Sequence, residues 1–499
     1  MSEFSTLLKS ALSMNDVSNR SLSQTLNIDR SRFQKILSGE RHMDYDTFES
    51  ICSRLTVPEK LNEDLRVAYA VEHFGKDNYD VIQHIIDRLC KMAKAENKFC
   101  PPPPRDLGIS GFSPTESLIP LNRKQHMLMD ELTAIINLEL EEKVPLVYTN
   151  FSFRQKAMKS YFLNIIQNRK CYIDFRHIHL TPMDVNSLIQ INNFLDAFEF
   201  AGSGYNTWHY TMNGNLPMAL LSPLPYFVLT SRVVLFFSED MNFYISNMNA
   251  DTVNSMHNYF HDIYNVCSSF AKHIDAPADF VKFEGLLIPN EQAADRTENC
   301  LFDTSNNICA AAFLTNDTLN ELLPDTLPYK AYFTSGISRF YEAMREKYLV
   351  FTFEHNSLLD FINNEPTISD YHHVTFDGLA LKPKHKLKIL QSYYDFVTSG
   401  RGEAHLLNTS KIRLPKYFHI NALPNGMTLG FNFKTYHPDT RELNVSIAAT
   451  MNPVIHKHFA NFSSFLVHSP FTYSAEHTEM VLKNALEYYA SIHSEVSSI

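Results

Sequence analysis

The chain has 499 residues, of which 44% are hydrophobic and 20% are charged, and its net charge is −11 with histidine neutral. This composition excludes a disordered chain and is typical of a folded protein with two to four domains. A protein that binds nucleic acid over its whole surface is usually basic, so any DNA contact here must come from a local patch. The seven cysteines include no Cys-x-x-Cys pair, which predicts reduced thiols in a cytoplasmic protein.

The first 95 residues or so carry helical patterns only, and we predict five short helices there. Four apolar residues have the i, i+3, i+4, i+7 spacing of one helical face: Phe48, Ile51, Cys52 and Leu55. Asp44 stands before this helix and can cap its free amides. The next helix is predicted to carry Pro58 in its first turn and to run to Phe74, with Gly75 as its stop signal.

The run from Ser21 to His42 predicts two short helices joined by a tight turn. Asn27 suits the turn because asparagine tolerates the left-handed backbone conformation. Asp29 can cap the second helix, and Gly39 can end it. The pattern therefore predicts that the second helix is short and defined at both ends.

This second helix has two different faces. Three apolar residues are expected to pack inward: Phe33, Ile36 and Leu37. Four polar residues with the spacing i, i+1, i+4, i+5 lie on the other side: Arg30, Ser31, Gln34 and Lys35. Side chains of these types can meet base edges when a helix enters the major groove of DNA. Three flanking arginines could hold phosphates: Arg20, Arg32 and Arg41. Between Met1 and His42, six Lys/Arg stand against four Asp/Glu, so this segment is +2.

This stretch resembles the helix-turn-helix domain of the phage-repressor, Cro-like (XRE-type) transcriptional regulators. The resemblance covers roughly residues 1–60, about an eighth of the chain, and departs from the family at two positions, where Ser23 replaces the usual alanine and Asn27 the usual turn glycine. It implies base reading by Arg30, Ser31 and Lys35 and backbone contacts by Asn19 and Arg41. It also implies that a dimer binds a two-fold symmetric operator.

Four successive prolines begin the stretch from Pro101 to Pro114, which predicts an extended spacer and a domain boundary. The predicted division has three parts: a helix-turn-helix DNA-binding domain with a helical extension at 1–95, a proline-rich linker at 96–120, and an effector region at 121–499 with candidate subdomains at 121–330 and 331–499.

Strand-like and helical runs alternate beyond the linker, which predicts a large α/β or α+β effector region in a multidomain protein. The predicted strands are Pro145–Asn150, Cys171–His177, Tyr226–Ser238, Tyr348–Glu354, His373–Phe376, Tyr417–Ala422, Met427–Phe433 and Leu443–Ala448. The predicted helices include Asn254–Phe270, Ile337–Glu346, Lys386–Thr398 and Thr478–Ile492. Pro424–Gly426 is typical of a hairpin turn between two strands.

Membrane insertion is not expected. The N-terminus has no basic leader followed by an apolar stretch, so we expect no signal peptide. The most membrane-like segment, Met218 to Phe237, contains Arg232 and two prolines. An arginine near the bilayer centre costs about 2.5–3.5 kcal/mol or more. We therefore predict a buried β-hairpin in this segment.

Recognisable catalytic and cofactor motifs are missing from the sequence. It contains neither a Walker A motif nor a Gly-x-Ser-x-Gly elbow, and Gly202-Ser203-Gly204 lacks the third glycine of a dinucleotide fingerprint. Three close histidine pairs occur without a Cys, Asp or Glu set at ligand spacing: His177/His179, His372/His373 and His456/His458. We therefore expect no enzyme activity, no cofactor and no metal.

The resulting prediction is a cytoplasmic, sequence-specific transcription regulator that binds double-stranded DNA as a homodimer. Its effector region would sense a small molecule or peptide, mediate dimerisation, or do both. One alternative is an enzyme or toxin–antitoxin-type protein whose helix-turn-helix only autoregulates, and a cluster of Asp, Glu, His and Lys side chains converging in one effector cleft would favour it. The other is a protein-interaction scaffold, which the absence of a basic surface around Arg30–Lys35 would favour.

Overall fold

A computed structural model describes most of the chain. The described residues are 2–15, 17–96, 120–168, 173–182, 187–201, 207–212, 223–269, 272–274, 300–325, 330–331, 334–335, 338, 342, 345, 348–363, 367–368, 379–415, 418–423, 426–431, 433–436, 443–449 and 453–493.

Six helices occupy the part of the chain before residue 97, one more than predicted. They are α1 (Glu3–Met14), α2 (Asn19–Thr25), α3 (Arg30–Ser38), α4 (Tyr45–Cys52), α5 (Glu59–Phe74) and α6 (Lys76–Glu96). The Asp44 side chain accepts a hydrogen bond from the Thr47 amide at 2.9 Å and caps α4, as predicted. Pro58 lies one residue before α5, and Gly75 follows that helix with φ 81° and ψ 149°.

The first five helices enclose one apolar core. Its buried members include Phe4, Leu8, Leu22, Phe33, Ile36, Leu37, Phe48, Ile51, Leu65 and Tyr69. The rings of Phe48 and Tyr69 stack at its centre, 4.1 Å apart and nearly parallel. These contacts join α4 to α5, so the five helices, here called the N-terminal helical group, share one hydrophobic interior.

Helix α6 packs into a different core. Its buried face, which includes Val81, Ile82, Ile85, Ile86 and Leu89, joins apolar residues of helices that lie far along the chain. The rings of Phe74 and Tyr79 also meet Phe465 at 5.9 and 6.0 Å. By its packing, α6 therefore belongs with the sheets that follow, although the predicted boundary near residue 96 grouped it with the first five helices. The predicted linker lies almost entirely outside the described residues.

The remaining described helices are α7 (Arg123–Glu139), α8 (Lys156–Asn168), α9 (Ser187–Ala201), α10 (Ala250–Val266), α11 (Asn316–Leu322), α12 (His355–Asn363), α13 (Pro383–Thr398), α14 (Pro453–Val467) and α15 (Ala475–Ile492). Helices α13 and α15 contain the predicted helices Lys386–Thr398 and Thr478–Ile492, and each begins three residues before its prediction. Helix α10 is shifted four residues toward the N-terminus relative to its prediction. Most of the predicted helix Ile337–Glu346 lies outside the described residues.

Seven strands form the first sheet in the order β6-β5-β4-β1-β2-β3-β7. They are β1 (Leu146–Thr149), β2 (Asp174–Pro182), β3 (Thr207–Met212), β4 (Tyr226–Leu229), β5 (Val234–Phe237), β6 (Tyr244–Asn247) and β7 (Ser268–Ser269). Strands β1, β2 and β3 are parallel, whereas β4, β5 and β6 are antiparallel to their neighbours. The β4–β5 pair confirms the hairpin predicted in the membrane-like segment. Within the described part of the chain, we find no helix with the length and apolar character needed to cross a membrane.

A second, five-stranded sheet has the order β13-β10-β9-β14-β15. Its strands are β9 (Cys300–Ser305), β10 (Tyr348–Glu354), β13 (Gly402–Leu407), β14 (Phe418–Leu423) and β15 (Gly426–Phe431). Two smaller sheets contain β11 (Thr367–Ile368) with β12 (Leu379–Ala380), and β16 (Phe433–Tyr436) with β17 (Leu443–Ala449) and β8 (Lys272–Ile274). Because β9 pairs with β10 and β14, the second sheet joins strands from both sides of the predicted subdomain boundary at residue 330.

The sequence predicted most of these strands. Strand β10 has the predicted limits, and β14 and β15 form the expected hairpin with Leu423 opposite Gly426, although Pro424 and Asn425 lie outside the described residues. Strand β2 starts three residues later than predicted and runs to Pro182. The predicted strand His373–Phe376 lies outside the described residues. The protein is thus a helical N-terminal region followed by a large mixed α/β region.

Candidate nucleic-acid interface

The connection between α2 and α3 is a tight turn with a left-handed residue. Asn27 has φ 53°, and the amide of Ile28 donates to the carbonyl of Ser23 at 2.9 Å. The Asp29 side chain accepts a hydrogen bond from the Arg32 amide at 3.0 Å and caps α3. Gly39 ends α3 in the left-handed conformation, with φ 80°. The residues predicted to start, cap and end this helix all take those positions.

Helix α3 has one buried face and one exposed face. Phe33, Ile36 and Leu37 are buried in the core of the N-terminal helical group. The four polar side chains on the other face are exposed: Arg30, Ser31, Gln34 and Lys35. Within the described part of the chain, none of these four side chains has a hydrogen bond or ion pair to another residue. This exposed set, here called the α3 polar face, keeps its donors available for a ligand.

The predicted flanking residues differ in their surroundings. Arg20 and Arg41 are exposed, and Asn19 is half-buried at the first position of α2. Arg32 pairs with Asp44 at 3.2 Å, and both side chains remain more than two-fifths exposed. Burial acts to raise the pKa of Asp44, but the hydrogen bonds from Thr47 and the Arg32 charge outweigh it and lower that pKa. Exposed pairs of this kind contribute only about 0–1 kcal/mol, so Arg32 can exchange Asp44 for another anion at little cost.

The turn residue Asn27 gives a first testable prediction. An asparagine-to-valine substitution there should lower the free energy of unfolding by about 1–2 kcal/mol, because a β-branched residue is strained at positive φ. Asn27→Gly should be neutral or slightly stabilising. Urea denaturation would measure both, with Gln24→Val on the exposed side of α2 as a control expected to cost about 0.5 kcal/mol. Equal costs for the two valine variants would contradict the left-handed assignment.

Two of the three histidine pairs lie within the described residues, and neither pair belongs to a group of possible metal ligands there. His177 and His179 are buried on one face of β2, where their rings stack on Phe151 and Phe153 at 4.4 and 4.7 Å. His456 and His458 lie on α14, and burial lowers the pKa of His458. The pair His372/His373 lies outside the described residues.

One group of possible metal ligands was missed by the sequence analysis. Asp303, Cys309 and His419 offer ligand atoms that lie within 4.8 Å of one another, and this is the single such group of three among the described residues. No spacing signal could have revealed it, because His419 lies more than a hundred residues from the other two. The strand pairing of β9 with β14 is what brings them together.

No model of a known protein family matches the chain, and no curated protein sequence matches it.

Proposed function

We propose that the protein is a sequence-specific DNA-binding transcription regulator in which α2 and α3 form a helix-turn-helix and α3 enters the major groove. The observation that carries this proposal is the α3 polar face, which exposes four unpaired donors opposite a fully buried apolar face. The left-handed turn at Asn27 and the cap at Asp29 support it, because they hold the N-terminal half of α3 in a defined position. The similarity to the Cro-like, XRE-type family agrees with this arrangement.

The residue types of the α3 polar face suit base recognition. An arginine such as Arg30, or a lysine such as Lys35, can pair with the O6 and N7 acceptors of guanine, and Gln34 can pair with the N6 and N7 groups of adenine. Ser31 can serve as donor or acceptor for either base type. Asn19, Arg20 and Arg41, with Arg32 when it leaves Asp44, are proposed to hold the phosphate backbone.

The proposal includes a homodimer. Helix α3 has nine residues and is about 14 Å long, so one copy reaches few base pairs. The segment from Met1 to His42 has a net charge of only +2, and DNA affinity at physiological salt depends on the number of phosphates that the protein neutralises. Two copies on half-sites about 34–36 Å apart would supply the missing contacts. We assign dimerisation and the sensing of a small-molecule or peptide effector to the sheet region, and we place the protein in the cytoplasm.

The two alternative functions, a protein-interaction scaffold and an enzyme, require other kinds of surface. A protein-interaction scaffold has no need for exposed, unpaired cations at Arg30 and Lys35, so the α3 polar face favours DNA binding. An enzyme needs polar groups that a substrate can reach. The group formed by Asp303, Cys309 and His419 is instead largely buried. DNA binding is therefore the function that the described residues support best.

The test is selection of bound DNA from a random library by the full-length protein, followed by fluorescence anisotropy on the selected site. We expect the site to be two-fold symmetric. Arg30→Ala and Lys35→Ala should each weaken binding about 5–150-fold, the equivalent of about 1–3 kcal/mol for a lost base contact. Arg41→Ala should weaken all sequences alike and reduce the salt dependence.

Lys60→Ala is the matched control for Lys35→Ala, because it removes an exposed positive charge from α5 of the same helical group. We expect this control to change affinity less than about two-fold, since one surface charge alone is a weak determinant. If Arg30→Ala and Lys35→Ala bind the selected site as tightly as Lys60→Ala does, the α3 polar face does not read DNA. Failure to enrich any sequence would contradict the function as a whole.

A further inference from the structure

We propose that Asp303, Cys309 and His419 form a binding site for a zinc ion on one face of the second sheet. Asp303 is on β9, Cys309 follows this strand in the next loop, and His419 is on the adjacent strand β14. One carboxylate oxygen, the thiol sulfur and one ring nitrogen lie within 4.8 Å of one another. A site of this kind is independent of the proposed DNA binding.

The strand register explains why the ligands converge. Strands β9 and β14 are antiparallel, with Asn421 opposite Asp303 and His419 opposite Ser305. Side chains two residues apart on a strand share a face, so Asp303 and His419 are diagonal neighbours on the same face. The Nε2 atom of His419 lies 3.1 Å from Oδ2 of Asp303.

The same face is buried and has unsatisfied polar atoms. Asp303 is 1% exposed and Cys309 is 4% exposed, while the His419 side chain is 14% exposed. Among the described residues, no hydrogen-bond partner reaches Oδ1 of Asp303 or the hydroxyl of Tyr393, although both atoms are buried. Buried polar atoms without a partner cost free energy, and a carboxylate costs most. A cation bound at Asp303 would give the Oδ1 atom a partner.

Tyr393 lies in the apolar environment that encloses this group of polar residues. Its ring, on α13, packs against Phe313 and Phe351 with centroids 4.6 and 4.8 Å away. Burial raises the pKa of Tyr393 well above its usual value, and the charges of Asp303 and Cys309 add to this effect. The Tyr393 hydroxyl is thus a buried polar group that has no hydrogen-bond partner among the described residues.

The donor set favours zinc over calcium and magnesium. Calcium and magnesium prefer sites made of oxygen atoms only, whereas zinc accepts sulfur, nitrogen and oxygen together. Zinc bonds of about 2.0–2.3 Å in a tetrahedral site place ligand atoms about 3.3–3.8 Å apart. The ligand atoms are at most 4.8 Å apart, which is about 1 Å beyond that range. Three protein ligands leave the fourth position for a water molecule.

The metal-free alternative is a buried Asp303–His419 hydrogen bond beside an inert cysteine. It accounts for the 3.1 Å contact and leaves Oδ1 of Asp303 and the Tyr393 hydroxyl without partners. The two alternatives differ in a measurable way, because only a metal site recruits the Cys309 thiolate and releases its proton on binding.

The experiment uses the full-length protein without a histidine tag, stripped with a chelator and titrated with zinc or cobalt. We expect one tightly bound ion per chain by elemental analysis and a higher unfolding temperature with zinc, because the ion binds the folded state. Cobalt should give a thiolate-to-metal charge-transfer absorption. Cys309→Ser should abolish that absorption, and Cys309→Ser, Asp303→Asn and His419→Gln should each lower zinc affinity at least ten-fold.

Cys267→Ser is the matched control, because Cys267 is another cysteine of the sheet region outside any disulfide and lies on no ligand strand. It should retain both the cobalt absorption and the zinc affinity. The wild-type cobalt spectrum tests the proposal even if a ligand variant fails to fold. The proposal is overturned if the wild-type protein binds no zinc, binds cobalt without a thiolate band, or loses that band in Cys267→Ser rather than in Cys309→Ser.

Discussion

Lowering the pH from 7 to 5 is expected to reduce the free energy of unfolding by roughly 4 kcal/mol through His177 and His179 alone. Both side chains are buried, at 0% and 5% exposure. Burial lowers the pKa of His177 to about 3, with His179 adding to the effect and the hydrogen bond to the Phe151 carbonyl opposing it. Burial, with the charge of Arg154, lowers the pKa of His179 to about 4.

The direction of the effect follows from which state takes up the proton. Both histidines stay neutral in the fold but protonate in the unfolded chain, where their pKa is near 6.5. Their contribution is therefore fully present above pH 6.5 and is lost as the pH falls from 6.5 toward 4 and 3. At pH 5 each histidine accounts for roughly 2 kcal/mol.

Urea denaturation at pH 7 and pH 5 would measure this effect. The double variant His177→Phe/His179→Phe keeps the ring contacts with Phe151 and Phe153. Its loss of unfolding free energy between pH 7 and pH 5 should be smaller than that of the wild type by roughly 4 kcal/mol. His477→Phe, at an exposed position of α15, serves as the control and should leave the pH dependence unchanged. An unchanged pH dependence in the double variant would show that these histidines are not neutral and buried in solution.

Replacing Asp196 with alanine should destabilise the protein by about 3 kcal/mol. Asp196 lies on α9, is 8% exposed, and binds both Arg88 of α6 and Lys159 of α8 at 2.6 Å. Removing the carboxylate deprives two largely buried cations of their shared anion, which costs more than the pair itself contributes. Asp196→Asn, which keeps the shape and one acceptor, should fall between the wild type and Asp196→Ala.

Asp80→Ala provides the comparison, because Asp80 pairs with Lys76 on the same helix α6 at an exposed position. Water and salt screen an exposed pair of this kind, so this variant should be almost neutral in urea denaturation. Similar costs for Asp80→Ala and Asp196→Ala would mean that the ion cluster is not formed. The packing of α6 against α9 would then need another explanation.

The features that the sequence predicted well depend on a few neighbouring residues. The left-handed turn at Asn27, the cap at Asp29 and the end of α3 at Gly39 are set by local backbone preferences, and Phe33, Ile36 and Leu37 share a face because of the helical repeat. Strand β10 was equally clear because it is a continuous apolar run. Neighbouring residues alone were therefore sufficient to predict the α3 polar face.

The features that the sequence did not predict depend on partners far along the chain. The apolar face of α6 was visible, but nothing in it indicates that its partners include α9 and α14 in addition to α5. Arg32 was expected to be available for phosphate, and its pairing with Asp44 requires the relative placement of α3 and α4. The convergence of Asp303 and His419 requires the register of β9 and β14, which a single sequence does not specify.

Gly75 joins α5 to α6 and thereby helps to set the direction of the N-terminal helical group. Its φ of 81° and ψ of 149° lie in a region that is close to glycine-only, and the space where a side chain would project is open. The amide of Gly75 donates to the carbonyl of Val71 and the amide of Tyr79 donates to the carbonyl of Gly75, both at 2.9 Å. The contact of Tyr45 with His468, 4.9 Å between ring centroids, supplies a second point of attachment. Helix α5 is about 24 Å long, so a 10° swing about Gly75 moves its far end by about 4 Å. In an assembly of two copies, a displacement of that size at the α3 helices would exceed the rise of about 3.4 Å between successive base pairs.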